Sequence, residues 1–361
     1  MENMVGISDL KEHYKNKKVF ITGHTGFKGS WLSTILLSMG ANVKGYALEL
    51  EYDNSIYNEL QKNENFTSII DDIRNSKRLK TEILNFEPDY VFHLAAQPLV
   101  RLSYRKPADT FEINVIGTAN LLESIKQLNN KCTTVIITTD KVYENIEQHI
   151  HYKETDRLGG HDPYSASKAC TELVVSSFRN SFFQLHEYLT HQKAVATARA
   201  GNVIGGGDWS EDRIIPDIVK SLINEKPIEV RNPGAVRPWQ HVLEPLFGYL
   251  LLGVNLNADP TKFSEAFNFG PNDTDHLTVK EVVEKCINVM NKGSWKDVSN
   301  NTQPHEANLL MLDIEKAKNK LGWKPKLNSS EAIIWTMNWY KLHKENTATF
   351  TNEQIATYQS I

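Results

Sequence analysis

The sequence predicts an α/β fold in which a doubly wound parallel sheet carries helices on both faces and is followed by a smaller, irregular C-terminal lobe. Three observations predict it. Short apolar runs alternate with helix-like segments in the first 200 residues, a glycine-rich loop follows the first run, and the alternation is lost after Arg199. We therefore expect one domain over residues 1–200 and a second lobe over 201–361, with a segment near 240–270 returning to the first sheet.

The predicted elements follow one another in a regular order. Lys18–Thr22 is a short buried strand, Gly29–Met39 is a helix that ends at Gly40, and residues 41–46 form a second strand. The alternation continues with helix 77–86, strand 90–94, helix 110–127, strand 133–138, helix 164–179 and strand 193–199. Beyond Arg199, glycines and prolines interrupt the pattern, although Ala266–Phe269 could return a strand to the first sheet.

Composition excludes several classes of function. The 361 residues are 40% hydrophobic and 23% charged, which is typical of a globular chain with a substantial core. The net charge of −4 leaves no basic excess for a phosphate backbone, so we expect no nucleic-acid partner. The longest apolar stretch, near Leu246–Val254, is too short to cross a membrane, and we expect no membrane partner. Residues 1–18 contain no apolar segment typical of a targeting peptide, so we expect a cytoplasmic protein.

Neither cysteines nor histidines form a metal-binding pattern. Cys132, Cys170 and Cys286 are far apart, which argues against a disulfide framework or a zinc knuckle. His149 and His151 lie in a polar loop, and no H-E-x-x-H motif occurs. We therefore expect no metal site.

Gly23, Gly26 and Gly29 form a G-x-x-G-x-x-G loop between the first strand and the first long helix. There, glycines let backbone N–H groups approach a pyrophosphate at the positive end of a helix, as in Rossmann-type dinucleotide sites. A turn without a ligand is the alternative, because the spacing differs from the commoner G-x-G-x-x-G. Glu49 or Glu51 could hold a ribose 2′-hydroxyl, although both could equally be solvated loop charges. No arginine stands there to bind a 2′-phosphate, which favours NAD over NADP.

Two acidic residues follow the next apolar run. Asp72, before Ile73, could reach the adenine amino group of a dinucleotide. For Asp71, capping of the following helix is the plain alternative.

Two further groups of residues carry chemistry. Tyr164 and Lys168 are four apart on a predicted helix and so share one face, where a lysine charge would lower the pKa of the phenol and make it a usable general base. Thr139, Asp140 and Lys141 stand at the carboxyl end of a predicted strand, where open α/β sheets bind their ligands. A turn with a surface ion pair is the alternative for Asp140 and Lys141.

Together, these motifs resemble the extended short-chain dehydrogenase/reductase family of NAD-dependent nucleotide-sugar epimerases and dehydratases. Longer blocks are most similar to the branch of that family that dehydrates CDP-glucose: residues 24–32, 96–104, 199–209, 237–246, 268–272 and 304–307. The similarity extends from about Lys18 to Pro325.

The resemblance implies a mechanism. Tyr164, assisted by Lys168 and hydrogen-bonded through Thr139, would remove the proton of the sugar 4′-hydroxyl while C4′ gives a hydride to NAD. Lys141 would take the C5 proton and Asp140 would protonate the departing 6-hydroxyl, although which of the two is acid and which is base stays open. The net reaction is a dehydration that would feed deoxysugars into a surface polysaccharide.

The resemblance also implies binding positions. The expected cofactor contacts are Gly23, Gly26, Phe27, Gly29, Asp72, Ile73, Ala95, Ala96, Gln97, Asn114, Tyr164 and Lys168. The expected contacts with a nucleotide-diphosphate glucose are Arg101, Asn202, Arg213, Arg237 and His305, among which Arg213 and Arg237 match diphosphate-binding positions. A buried amide satisfied by backbone is the alternative for Asn114, and surface ion pairing is the alternative for the two arginines. Of the other motif residues, His93 is interpreted as a core histidine, Trp323 as a packing residue, and Asp208 with Trp209 as packing at the lobe boundary.

The same resemblance implies a homodimer or homotetramer, built across the helices predicted at 110–127 and 167–179. Two alternative functions stay open: a C4 epimerase or dehydratase acting on another nucleotide sugar, and an NAD-binding sensor without turnover. Asp140 and Lys141 argue against the epimerase, which needs no acid and base at C5 and C6. Tyr164 and Lys168 argue against the sensor.

Overall fold

A computed structural model describes residues 5–49, 56–299 and 310–361 of the chain, so the candidates Glu51 and His305 lie outside the described residues. The strands are β1 (Lys18–Thr22), β2 (Asn42–Ala47), β3 (Phe66–Ile70), β4 (Tyr90–His93), β5 (Cys132–Ile137), β6 (His151–Tyr152), β7 (Lys193–Ala200), β8 (Val203–Ile204), β9 (Ile228–Val230), β10 (Val236–Arg237), β11 (Gln240–His241), β12 (Ala266–Phe269), β13 (Leu277–Thr278), β14 (Trp295–Asp297) and β15 (Met311–Leu312).

The α-helices are α1 (Leu10–Tyr14), α2 (Phe27–Ser38), α3 (Tyr57–Leu60), α4 (Ser76–Phe86), α5 (Val100–Arg105), α6 (Pro107–Phe111), α7 (Gly117–Lys126), α8 (Pro163–Ser181), α9 (Tyr188–His191), α10 (Ile214–Ile223), α11 (Leu243–Ala258), α12 (Pro260–Phe263), α13 (Val279–Met290), α14 (Glu315–Leu321) and α15 (Ser329–Ser360). Within the described residues, no helix combines the length and the apolar character needed to cross a membrane.

Seven strands form one sheet in the order β3-β2-β1-β4-β5-β7-β12, and every neighbouring pair is parallel. The order reverses between β1 and β4, and in such sheets ligands bind in the crevice at that point, beyond the carboxyl ends of the strands. The predicted doubly wound α/β fold is confirmed.

The residues of each strand alternate between the two faces of the sheet. Val19 and Ile21 of β1 join the larger apolar cluster, whereas Phe20 joins the smaller one. Helices α4, α7 and α8 pack against one another on the side of the smaller cluster, and α2 and α11 contribute to the larger one. The site therefore stands on a sheet that is buried on both faces.

Most predicted elements are found with ends shifted by a few residues. The segment predicted as one helix over 110–127 is instead α6, a π-helical stretch at Glu112–Ile116, and α7. The wider π turn carries Asn114, whose buried amide bonds to neighbouring elements. Strand β3, which appears in the sequence only as a short apolar run, forms the edge of the sheet beside β2.

After residue 200 the chain returns to the first sheet twice. Helix α11 is buried along almost its whole length and contacts β5 and β7, while β12 extends the sheet beyond β7. A helix that is apolar on all sides is typical of such a buried position. The division of the chain at residue 200 into two domains stays a prediction.

Glu244 joins α11 to the C-terminal part of the chain. Its carboxylate accepts hydrogen bonds from the backbone N–H groups of Lys326 (3.0 Å) and Leu327 (2.7 Å) and from the hydroxyl of Tyr358 (2.7 Å). The indole of Trp323 donates to the Glu244 carbonyl at 3.1 Å, so Trp323 is a buried packing residue as the sequence predicts. Burial raises the pKa of the Glu244 carboxyl to about 7, although these donors oppose the rise.

This raised pKa predicts a pH dependence of stability. Unfolded glutamate ionises near its ordinary pKa of about 4.3, whereas Glu244 in the folded chain stays protonated up to about pH 7. The folded state therefore binds more protons than the unfolded state between these values, and the free energy of unfolding falls as the pH rises from about 5 to 8. In Glu244→Gln this fall, roughly 1.4 kcal/mol per unit of pKa difference, should be absent.

Urea unfolding of wild type and Glu244→Gln at several pH values measures the difference. Glu353→Gln is the matched control, because Glu353 is an exposed residue of α15. Parallel pH profiles for wild type and Glu244→Gln would contradict the prediction.

Candidate active site

The glycine loop between β1 and α2 is shaped by close contacts. Gly23 has a φ of +78°, and a Cβ there would lie 2.7 Å from the backbone nitrogen of Ala95. A Cβ on Gly29 would lie 2.0 Å from the carbonyl oxygen of Gly23. Gly26 caps α2 in an extended conformation, and its own Cβ would meet only the Gly23 oxygen, at 3.4 Å. The loop is therefore closed towards the sheet and open outwards, where the N–H groups of the first turn of α2 have no helical acceptor and suit a pyrophosphate.

The loop after β4 forms the opposite wall of this site. Ala95, Ala96 and Gln97 follow the strand, and the backbone N–H of Gln97 donates to the side-chain oxygen of Asn114 at 2.8 Å. The Asn114 amide nitrogen donates to the Gln97 carbonyl (3.2 Å) and to the hydroxyl of Ser167 (2.8 Å). Asn114 thus fixes this loop to α8, and its amide is satisfied largely by the backbone of Gln97, which is the alternative given for it from the sequence. A contact between Asn114 and a cofactor stays a prediction.

The candidates after β3 lie at the far edge of the sheet. The side chain of Arg74 donates three hydrogen bonds to Asp72 (2.6, 3.0 and 3.0 Å), which hold the pKa of the Asp72 carboxyl below its ordinary value. Ile73 is buried against Gly117 of α7. The alternative in which Asp71 caps the next helix is wrong, because Asn75 caps α4 and its side chain accepts from the N–H of Arg78.

Three candidates meet directly beyond β5. Thr139 is extended and its hydroxyl donates to Oδ1 of Asp140 at 2.8 Å. Asp140 is almost fully buried, whereas the side chain of Lys141 is 31% exposed, with Nζ at 3.7 Å from the same Asp140 oxygen. From the end of β7, the amide nitrogen of Asn202 approaches Oδ2 of Asp140 at 3.4 Å.

Tyr164 and Lys168 stand on the first turns of α8. Asp162 caps this helix by accepting the N–H of Ser165 at 3.0 Å, and Pro163 occupies its first turn. Burial raises the pKa of the Tyr164 phenol to about 12, while the hydrogen bond with Thr139 and the charge of Arg213 lower it. The phenol and Thr139 are thus neighbours, as expected from the resemblance.

Lys168 holds a structural position behind the phenol. Its Nζ donates to the carbonyl of Ile137, the last residue of β5, at 3.1 Å. Burial lowers the pKa of the Lys168 ammonium to about 8, and the charge of Glu172 partly opposes this. The cation that lowers the pKa of the Tyr164 phenol is therefore Arg213. Lys168 is instead held by its hydrogen bond to the end of β5.

The substrate candidates line one open cleft of about 1240 Å³ beside these groups, larger than the ~300–1,000 Å³ typical of one small ligand. Its walls include Arg101, Thr139, Asp140, Lys141, Tyr164, Asn202, Arg213 and Arg237. The guanidinium of Arg213 lies 2.9 Å from Asp208, and that of Arg101 lies 3.7 Å from Asp212. The structure thus brings together all the described catalytic and substrate candidates except Lys168, which lies buried behind them.

Two features of the site were missed by sequence reasoning. Lys28, inside the glycine motif, also lines the cleft. Gly201 is required by Asp140, because a Cβ on Gly201 would lie 2.0 Å from the carboxyl carbon of Asp140. The first could have been found from its place in the motif, whereas nothing in the local sequence points to a contact between residues so far apart.

His93 behaves as a core residue. It is buried at the end of β4 with its two ring nitrogens bonded to the hydroxyls of Thr22 (2.7 Å) and Thr118 (3.0 Å). Burial lowers the pKa of its ring to about 3, so it stays neutral. Within the described ranges, no group of three or more His, Cys, Asp or Glu side chains could hold a metal ion.

Comparisons with known proteins find similarity over almost the whole chain. The family model of GDP-mannose 4,6-dehydratase matches residues 20–336. The curated CDP-glucose 4,6-dehydratase of Salmonella typhimurium is 47% identical over 353 residues, which cover 97% of this chain and 98% of that protein. Epimerase Mth375 of Methanothermobacter thermautotrophicus has a TM-score of 0.81 at 25% identity, covering 95% of this chain and 97% of its own. DesIV, a dTDP-glucose 4,6-dehydratase of Streptomyces venezuelae solved with NAD, has a TM-score of 0.77 at 23% identity over 90% of this chain and 97% of its own.

The contact between Gly201 and Asp140 predicts the effect of a single methyl group. Gly201→Ala should push the Asp140 carboxylate away from Thr139, because the three atoms nearest the new Cβ, at 2.0 to 2.4 Å, all belong to that carboxylate. Catalytic activity should fall roughly 100-fold, the size expected for a misplacement of about 1 Å at a catalytic group.

Gly234→Ala is the matched control, since a Cβ at Gly234 would meet nothing within 4 Å. Activity is measured on both variants together with thermal unfolding, which should show that each is folded. If Gly201→Ala were as active as Gly234→Ala, the packing of Asp140 against Gly201 would not matter for catalysis.

Proposed function

Because this chain belongs to the GDP-mannose 4,6-dehydratase family of nucleotide-sugar enzymes, we propose that it is a CDP-glucose 4,6-dehydratase, which converts CDP-glucose to CDP-4-dehydro-6-deoxyglucose and water. The geometric observation that supports the reaction is that Thr139, Asp140 and Lys141 follow one another at the end of β5, where Thr139 meets the phenol of Tyr164 on α8. The choice of CDP-glucose is supported by the 47% identity with a curated dehydratase of that substrate.

The glycine loop fits NAD as the cofactor. Its outward N–H groups and open face accept a pyrophosphate, and the loop of Ala95 to Gln97 stands across the crevice. Bound NAD supplies an acceptor for the hydrogen at C4 of the glucose ring, which is returned to the sugar at C6. The exposed Glu49 after β2 is available for a ribose hydroxyl, which supports NAD over NADP.

Tyr164 takes the proton of the 4-hydroxyl. With a pKa of about 12 in the unliganded protein, the phenol alone is a poor base near pH 7. The hydrogen bond with Thr139 and the charge of Arg213 lower the pKa of the phenol, and bound oxidised NAD would add a further positive charge beside it. Lys168 positions this end of the site through the carbonyl of Ile137 and brings a further positive charge.

Asp140 and Lys141 carry out the elimination. A ketone at C4 makes the C5 proton acidic, and we assign that proton to Lys141. Asp140 protonates the 6-hydroxyl, which leaves as water. For this exchange a proton must first pass from the Lys141 ammonium to the Asp140 carboxylate, which lies 3.7 Å away. Lys141 is then neutral when it takes the C5 proton, and Asp140 carries the proton that it delivers to O6.

The diphosphate of the substrate is assigned to Arg213 and Arg237, which line the cleft. Guanidinium groups bind phosphate oxygens in pairs, so they suit this task better than isolated lysines. In the unliganded protein Arg213 pairs with Asp208, and a phosphate would compete with that carboxylate.

A nucleotide panel tests the proposed function. Incubated with NAD and, separately, CDP-, dTDP-, UDP- and GDP-glucose, the purified protein should remove one water from CDP-glucose alone, seen as a loss of product mass. Loss of water from another nucleotide sugar would overturn the substrate, and an isomer of unchanged mass would indicate an epimerase.

Tyr164→Phe identifies the reacting base in the same assay. The variant should produce no product while binding NAD within a few-fold of the wild-type affinity, because only the phenolic oxygen is removed. Tyr188→Phe, on α9 and not among the residues that line the cleft, is the control and should keep wild-type turnover. Turnover by Tyr164→Phe would remove this residue from the mechanism.

We also propose that the protein is a homodimer or homotetramer joined across the face of α8 and the adjoining π-helical stretch. Ile116 is 52% exposed and Leu173 is 60% exposed, an apolar surface that a helix–helix interface would cover.

Light scattering should give at least twice the monomer mass for wild type and a lower mass for Leu173→Glu. Leu189→Glu, at an 89% exposed position on α9, should leave the mass unchanged, and a monomeric wild type would contradict the proposal.

A further inference from the structure

The cleft extends beyond the groups assigned to the sugar and the diphosphate. Arg213, which is assigned to the diphosphate, immediately precedes α10, and its carbonyl accepts a hydrogen bond from the N–H of Asp217 at 3.0 Å. Asp217 thus lies one turn further along this wall, and it also lines the cleft. Because a nucleotide sugar is a linear sequence of sugar, diphosphate and nucleoside, we expect the nucleoside at this end of the cleft.

The carboxylate of Asp217 is half-buried and lacks a hydrogen-bond donor. Within residues 5–49, 56–299 and 310–361, no donor lies within hydrogen-bonding distance of it, and Nη2 of Arg231 is 3.8 Å from its Oδ2. Burial chiefly raises the pKa of the Asp217 carboxyl, while the charge of Arg231 opposes the rise and that of Asp212 adds to it. A ligand that donates a hydrogen bond would stabilise such a carboxylate.

Two other acidic side chains near this end of the cleft already have partners. Glu229 on β9 is exposed, and its carboxylate pairs with Lys296 at 2.8 Å. Asp212 accepts a hydrogen bond from Arg231 at 3.1 Å. Asp217 is therefore the carboxylate best placed to accept a hydrogen bond from a nucleoside, with the guanidinium of Arg231 beside it.

An acceptor beside a donor matches one edge of cytosine. At C4, cytosine carries an amino group that donates, whereas uracil and thymine carry a carbonyl oxygen that accepts. The neighbouring ring nitrogen N3 accepts in cytosine and carries a proton in uracil and thymine. A carboxylate facing C4 and a guanidinium facing N3 therefore both pair with cytosine, whereas uracil in the same orientation would place acceptor against acceptor and donor against donor.

We propose that Asp217 is a specificity-determining residue, which accepts a hydrogen bond from the amino group of a cytosine base while Arg231 donates to the ring nitrogen beside it. The inference rests on the proposed function, which brings a cytidine nucleotide into the cleft. It adds the group that distinguishes cytosine from uracil and thymine, and it places that group away from the reacting atoms at Tyr164 and Asp140.

Titration calorimetry with CDP and, separately, UDP measures the base preference without turnover. Wild type should bind CDP about 10- to 100-fold more tightly than UDP, the discrimination typical of paired hydrogen bonds to a base edge. In Asp217→Asn the preference should be lost and UDP should bind more tightly than it does to wild type, because the new amide can donate to the C4 oxygen of uracil. Asp217→Ala should lose the preference without any gain in UDP binding.

Turnover in the presence of NAD gives a second readout. For Asp217→Asn, KM for CDP-glucose should rise while kcat stays within a few-fold of wild type, because the side chain does not touch the reacting atoms. The matched control is Asp259→Asn, outside the residues that line the cleft, where an amide still caps α12. This control should keep the wild-type preference for CDP over UDP.

An unchanged ratio of CDP to UDP affinity in folded Asp217→Asn would overturn the assignment, and so would equal affinity of wild type for the two ligands. Thermal unfolding shows whether each variant is folded, and Asp217→Ala carries the test alone if Asp217→Asn is not. Failure of the proposed function is seen differently, as an absence of dehydrated product from CDP-glucose with wild type.

Discussion

The active site depends on the buried ion pair between Glu172 and Arg199. Glu172 accepts hydrogen bonds from Arg199 (2.9 and 3.0 Å), from the hydroxyl of Thr138 (2.6 Å) and from that of Thr197 (2.8 Å). Burial alone would raise the pKa of the Glu172 carboxyl, but the charge of Arg199 and these donors hold it below its ordinary value. The pair thus joins α8 and β7 to Thr138, directly after β5 and next to the candidate catalytic groups. Breaking such a pair typically costs about 3–5 kcal/mol.

The same pair sets the positions of the candidate catalytic side chains. Tyr164, Lys168 and Glu172 succeed one another at intervals of four residues, so they share one face of α8. Glu172 fixes this face to Thr138, which immediately precedes Thr139. Arg199 also donates to the hydroxyl of Tyr143 at 2.8 Å, and Tyr143 in turn donates to Asn268 of β12. A continuous buried network therefore fixes the distance between the Tyr164 phenol and the end of β5.

Local regularity explains which parts of this architecture the sequence could predict. The strands of the sheet alternate with helices, of which α4, α7 and α8 are amphipathic, and the glycine loop and the Tyr164–Lys168 pair lie within short, continuous segments. Helix α11 was not predicted, because a helix that is apolar on all sides has no periodicity to distinguish it from a buried strand. The packing of Gly201 against Asp140 joins residues that follow two different strands, β7 and β5, so no local pattern records it.

Charge in the cleft explains why cofactor, substrate and acid–base groups must act together. Arg213 lowers the pKa of the Tyr164 phenol, yet the same guanidinium is assigned to the substrate diphosphate. A phosphate bound there cancels part of the charge that stabilises the phenolate. On the proposed assignment, the compensating charge would come from the oxidised cofactor, with the ammonium of Lys168 at the Ile137 carbonyl as a second source. On the proposed mechanism, proton removal from the sugar would be favoured most when the oxidised cofactor is bound, which would couple the first chemical step to a filled cofactor site.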